Sequence, residues 1–150
     1  MKTKLEKAIE KALNGRPAPR KSNGRTKYKS EWWDNGKGKR YKTRSSWEYN
    51  YMWYLEWLKS KKEISNWDYE PDTFWFEKIR RGVRSYLPDF RILEKDGTYT
   101  YHELKGYMDA RSKTKIKRMA KYHPHIKLIV KGAKEYNAIK KWARLIPGWK

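Results

Sequence analysis

The stretches Leu87-Pro88-Asp89-Phe90 and His102-Glu103-Leu104-Lys105-Gly106 frame a hairpin on which the other elements depend. Phe90 to Leu93 is a short apolar run headed by Asp89, and Thr98 to Lys105 is a second extended run. Between them, Lys95-Asp96-Gly97 carries the Asp-Gly pair that favours a turn joining antiparallel strands. Side chains on a strand alternate between its two faces. Glu103 and Lys105 therefore share one face, and Leu104 points the other way into a core. Pairing of the strands would bring Asp89 close to Glu103.

Two carboxylates and an amine at one end of a hairpin suit metal-dependent phosphodiester hydrolysis. Mg²⁺ prefers hard oxygen ligands, keeps several waters and accepts phosphate oxygen. It lowers the pKa of a bound water and stabilises charge building up at phosphorus. A neighbouring lysine orients that water or offsets the developing charge. The competing reading is an ordinary hairpin with solvated charges, because charged residues make up 37% of the chain and such triples recur in it.

The 150 residues correspond to one domain, long enough to fold without covalent staples. Without cysteine there is neither a disulfide nor a thiolate zinc site. His102, His123 and His125 do not form a convincing metal cluster, and His123-Pro124-His125 reads as a turn. No membrane-length apolar run or signal-peptide pattern is found, so the expected location is the cytoplasm of a bacterium or a phage-infected host. The net charge of +21 points to a polyanionic partner, with nucleic acid ahead of a membrane surface or an acidic protein. Nine tryptophans and twelve tyrosines are more than a disordered basic tail would carry; they imply a folded body with aromatics to spare for stacking on bases.

Residues 2–13 read as an amphipathic helix with Leu5, Ala8, Ile9, Ala12 and Leu13 on one face, docking either on the body or on a second subunit. Residues 1–26 thus comprise this helix and a basic linker, with Pro17, Pro19 and Gly24. Residues 27–44 read as a basic, aromatic hairpin turning at Asn35-Gly36. Its cations Lys27, Lys29, Lys37, Lys39, Arg40 and Lys42 alternate with Tyr28, Trp32, Trp33 and Tyr41, a pattern suited to phosphates and exposed bases. Alternatively its tryptophans pack on the core while the lysines face water; at least one of the two is expected inside.

A catalytic core over residues 45–131 begins with a helix to about Lys61, burying Trp47, Tyr51, Tyr54, Leu55 and Leu58. Ser45-x-x-Glu48 fits a capping box, in which the glutamate accepts the cap backbone N–H. Ile64 to Glu77 reads as one extended region broken by Pro71, with Glu70 facing an undetermined direction. Arg80, Arg81 and Arg84 lie in a basic turn before Asp89. A helix over about 110–122 buries Ser112, Ile116, Met119 and Ala120 and presents Arg111, Lys113, Lys115, Lys117, Arg118 and Lys121, a single-sign surface suited to a nucleic-acid backbone. Ile126 to Val130 reads as a buried strand. Residues 132–150 hold a last helix to about Leu145, with Tyr136, Ile139, Trp142, Ala143 and Ile146 inward.

Pro88-Asp89, a short gap and Glu103-Leu104-Lys105 resemble the signature of the PD-(D/E)xK nuclease superfamily, in particular its small phage and archaeal members that include Holliday-junction resolvases. The likeness extends from about Lys27 to Val130, with a Ser-x-x-Glu helix start before the hairpin and a basic helix after it. It implies an α/β or α+β fold, a restriction-endonuclease-like mixed sheet flanked by helices, here with a basic N-terminal hairpin arm. It also implies Mg²⁺ dependence, with Mn²⁺ substituting, and cleavage leaving a 5′-phosphate. Asp89, Glu103 and the Leu104 carbonyl would hold the metal. Lys105 would position the water, and Glu48 would complete the metal shell if it is not occupied as a cap. A homodimer follows from the resemblance, since a resolvase makes two cuts. The expected substrate is branched DNA. The alternatives are a nicking or end-processing nuclease, a non-catalytic DNA-binding or packaging protein, and an RNA-binding protein.

Overall fold

Short-range signals build most elements of the chain. The computed structural model describes residues 28–150; the expected helix and linker over 1–26, and Lys27, lie outside them. A two-stranded ribbon opens this part, β1 (Glu31–Asp34) paired antiparallel with β2 (Arg40–Thr43). Helix α1 (Ser46–Ser60) follows, its first turn capped by Ser45 Oγ, which accepts the Glu48 N–H at 3.1 Å. Then come β3 (Asn66–Tyr69), β4 (Phe74–Trp75), β5 (Ser85–Tyr86), β6 (Phe90–Leu93) and β7 (Tyr99–Leu104). Helix α2 (Ala110–Tyr122), β8 (Leu128–Lys131), helix α3 (Ala133–Lys140) and a 3₁₀ turn (Ala143–Leu145) complete the order.

The principal sheet is mixed, with strand order β3-β6-β7-β8. β3, β6 and β7 are antiparallel neighbours, and β8 runs parallel to β7, with α2 as the crossover that parallel pairing requires. The architecture is α+β, three helices around a four-stranded mixed sheet among the described residues. The β6–β7 turn forms as its Asp-Gly pair predicts: Gly97 takes a φ of 85°, and the Asp96 carboxylate accepts the Thr98 N–H at 2.9 Å.

Strand alternation divides the interior in two. Trp67 of β3, Phe90 and Ile92 of β6 and Leu104 of β7 pack with Tyr51, Met52 and Leu55 of α1 and with Trp33 of the ribbon. On the opposite face, Tyr101 of β7 and Leu128 of β8 pack with Ile116 and Met119 of α2 and with Phe76, Val83 and Tyr86 from the β4–β5 segment. Asp89, Glu103 and Lys105 occupy alternate positions belonging to this second face.

Two expectations are corrected. The extended region 64–77 is two elements, since β4 leaves the main sheet to pair with β5; Arg80 and Arg81 therefore lie in a hairpin loop. The last helix ends at Lys140, and Trp142 is turned outward, 55% exposed. The ribbon places one of its two tryptophans inside, as expected: Trp33 is fully buried, its ring tilted against Trp53 at 4.9 Å, while its neighbour Trp32 is 55% exposed. No helix among the described residues is long and apolar enough to cross a membrane.

Candidate active site

The β6–β7 ladder runs from Leu93 to Phe90, and the chain bends at Asp89. Extending the Phe90–His102 register by one pair sets Asp89 opposite Glu103, and by two sets Pro88 opposite Leu104. Proline has no N–H to offer the Leu104 carbonyl. The Leu104 N–H is met instead by Asp89 Oδ2 at 2.8 Å. The Asp89 N–H in turn donates to Glu103 Oε2 at 3.2 Å, and Lys105 Nζ lies 3.2 Å from Glu103 Oε1. The proline thus stops the ladder where the aspartate takes over as acceptor, and three predicted side chains come together at one sheet end.

Asp89 and Glu103 are 8% and 5% exposed. Burial, reinforced by the Glu103 carboxylate, pushes the Asp89 carboxyl up to about 8; the Leu104 N–H opposes this, Glu48 adds to it and Lys105 opposes it. Two buried carboxylates lie side by side with a single lysine against Glu103, and their mutual repulsion favours the neutral form of Asp89. Such a donor set, with a backbone carbonyl beside it, fits a hard divalent cation that binds through one or two carboxylates and keeps its waters. Among the described residues no group of three or more His, Cys, Asp or Glu side chains is arranged to hold a metal ion. Glu48 lies near enough to the pair for its charge to act on Asp89.

Glu48 is engaged in the helix start. Its Oε2 accepts the Arg44 N–H at 2.8 Å and the Tyr69 hydroxyl at 3.1 Å. The capping reading holds with one change: the carboxylate reaches the residue before the cap rather than Ser45 itself. Glu70 faces the same end. Its N–H donates to the Asp89 carbonyl at 2.8 Å, its carboxylate pairs with Arg44, and its φ is +47°. A positive φ cannot be read from residue types when the residue is glutamate, so nothing in the sequence marked this position.

Lys29, Lys37, Arg40, Lys42, Arg80, Arg81, Arg84, Arg111 and Lys117 are exposed, and Lys113 and Lys115 partly so. Arg40 stacks over the Trp32 ring at 4.4 Å. Two expected surface cations are structural instead. Lys39 Nζ donates to Asn66 Oδ1 at 2.9 Å and to the Trp67 carbonyl, with the Trp67 ring 4.4 Å away. Arg118 donates to the Val83 carbonyl and so ties α2 to the β4–β5 loop.

Two further side chains flank the site. His102 Nδ1 shares a 2.7 Å hydrogen bond with the Tyr51 hydroxyl, and burial pushes its pKa down to about 3, keeping the ring neutral as a core residue. Tyr86, 3% exposed, stands three positions before Asp89, and its hydroxyl has no hydrogen-bond partner among the described residues. Burial holds its phenol well above the ordinary value; the Glu103 carboxylate, which the hydroxyl stands beside without meeting it in hydrogen-bond geometry, and the charge of Asp89 act in the same direction. The chain matches no protein-family model and no curated protein.

Proposed function

We propose that this protein is a metal-dependent DNA endonuclease with a restriction-endonuclease-like fold, selective for branched DNA and related in kind to Holliday-junction resolvases. The observation that carries the reading is the buried Asp89–Glu103 pair with Lys105 at 3.2 Å, set in a chain of net charge +21. A surface that attracts phosphate has no use for buried carboxylates unless a cation bridges the two. That argument disfavours a purely architectural DNA-binding protein.

Asp89, Glu103 and the Leu104 carbonyl would hold Mg²⁺ or Mn²⁺. Bound there, the ion supplies a water of lowered pKa and stabilises charge on the phosphoryl group. Lys105 orients that water and offsets the charge that develops beside Glu103. The Leu104 N–H keeps Asp89 in place, and the Asp89 N–H does the same for Glu103. Glu48 acts by holding the start of α1 against Tyr69. Lys29, Lys37, Arg40 and Lys42 on the ribbon, with Arg80, Arg81, Arg84, Arg111, Lys113, Lys115 and Lys117, contact the DNA backbone without reading its bases. Paired cuts across a junction call for two copies of the chain.

The test is a labelled four-way junction, a matched duplex and a single strand, each with Mg²⁺ or chelator, beside Glu103→Gln. Junction-confined cuts that need Mg²⁺ and vanish in the variant are expected. Cuts on every substrate would indicate a general nuclease, and tight binding without cleavage under any metal would overturn the reading.

A further inference from the structure

We propose that Tyr86 is a positioning residue of this site: its buried, unpartnered hydroxyl closes onto the Glu103 carboxylate when a divalent cation binds, and so fixes Glu103 as a ligand. This rests on the metal-site reading above. Tyr86 belongs to the cluster under β7 that includes Tyr101, and Glu103 continues that same strand face beyond Tyr101. β5, which carries Tyr86, leads through Leu87 and Pro88 into Asp89. The phenol is thus built into the floor of the site from the element that also delivers its aspartate.

Both Glu103 oxygens are already engaged, Oε2 by the Asp89 N–H and Oε1 by Lys105. Binding a cation through either oxygen weakens one of these contacts and frees the carboxylate to turn. A hydroxyl donor already stripped of water supplies the missing contact without further desolvation. Outer-shell donors of this type commonly set the orientation of a ligating carboxylate. Packing alone would be served as well by phenylalanine, because a buried hydroxyl without a partner is unfavourable in the unloaded fold. The orphaned oxygen is therefore explained by the loaded state.

The experiment compares the full-length protein with Tyr86→Phe and Glu103→Gln by thermal melting across a Mg²⁺ titration at mildly alkaline pH, followed by cleavage kinetics on junction DNA. Tyr86→Phe is expected to melt at or above the wild-type temperature without metal. Its midpoint for Mg²⁺ stabilisation should move about tenfold higher, and kcat at fixed Mg²⁺ should fall while KM for DNA stays unchanged. An unchanged Mg²⁺ midpoint would overturn the role of Tyr86 while leaving the metal site standing. A lower melting temperature without metal would show that the hydroxyl is bonded in the unloaded state and overturn it equally. If the wild type gains no stability from Mg²⁺ and matches Glu103→Gln, the metal-site reading falls and this proposal with it.

Discussion

Asp89 gives the most direct test at the level of single residues. Its folded pKa lies near 8, above the unfolded value near 3.9. Between those values the folded state keeps a proton that the unfolded state has lost, so stability falls as pH rises through the window. Asp89→Asn, which keeps an acceptor for the Leu104 N–H, is expected to raise stability at pH 8 by about 2 kcal/mol in the presence of chelator, with the gain disappearing by about pH 4. Urea melts of both proteins across this range check it, and a variant less stable than wild type at pH 8 contradicts it. Gly148 offers a second test. Its φ is +85°, and a Cβ there would stand 2.4 Å from the Trp53 ring. Gly148→Ala should lower stability by roughly 2 kcal/mol or more, since positive φ and overpacking act together; denaturant melts measure it. The proximity of Asp89 to Glu103 was legible because it needs only strand alternation and a local turn. The Tyr69–Glu48 contact joins α1 to β3, and no local pattern announces it.

Among the elements, the ribbon shows how alternation sorts chemically identical residues. Trp33, Tyr41 and Thr43 face the body, whereas Trp32, Arg40 and Lys42 face outward. Lys39 stands in the turn and reaches back to β3. Lys39→Ala should therefore cost about 1–2 kcal/mol of stability through its lost hydrogen bonds and ring contact. Lys42→Ala should leave stability within about 0.5 kcal/mol and reduce the salt dependence of DNA binding by about one phosphate. Melting curves and salt-titrated binding of the two variants separate these roles, and equal melting temperatures would contradict the assignment of Lys39. The β4–β5 hairpin escaped the sequence reading because its strands are two residues each, too short for a period to show.

Taking the whole molecule, exposed cations stand on three elements, the ribbon, the β4–β5 loop and α2. With about six phosphates engaged, the logarithm of DNA affinity should fall against log salt with a slope of roughly −5. Binding isotherms across salt concentrations test this, and a slope near zero would exclude a backbone-tracking surface. The C-terminal residues close the fold. The Lys150 N–H donates to Asn50 Oδ1 at 3.0 Å, Asn50 Nδ2 donates to the Lys150 carbonyl at 3.1 Å, and Lys150 Nζ reaches Glu31 at 2.6 Å.

The basic charge, the Asp-Gly hairpin, the helix start at Ser45 and the shared face of Glu103 and Lys105 follow from residue type and local period, which act over a few residues and can be read along the chain. The burial of Trp33 beside the exposure of Trp32, the diversion of Lys39 and Arg118 to backbone carbonyls, the turn of Glu70 into positive φ and the isolation of the Tyr86 hydroxyl depend on which surfaces meet. Those meetings join residues far apart in sequence, so only the tertiary structure decides them.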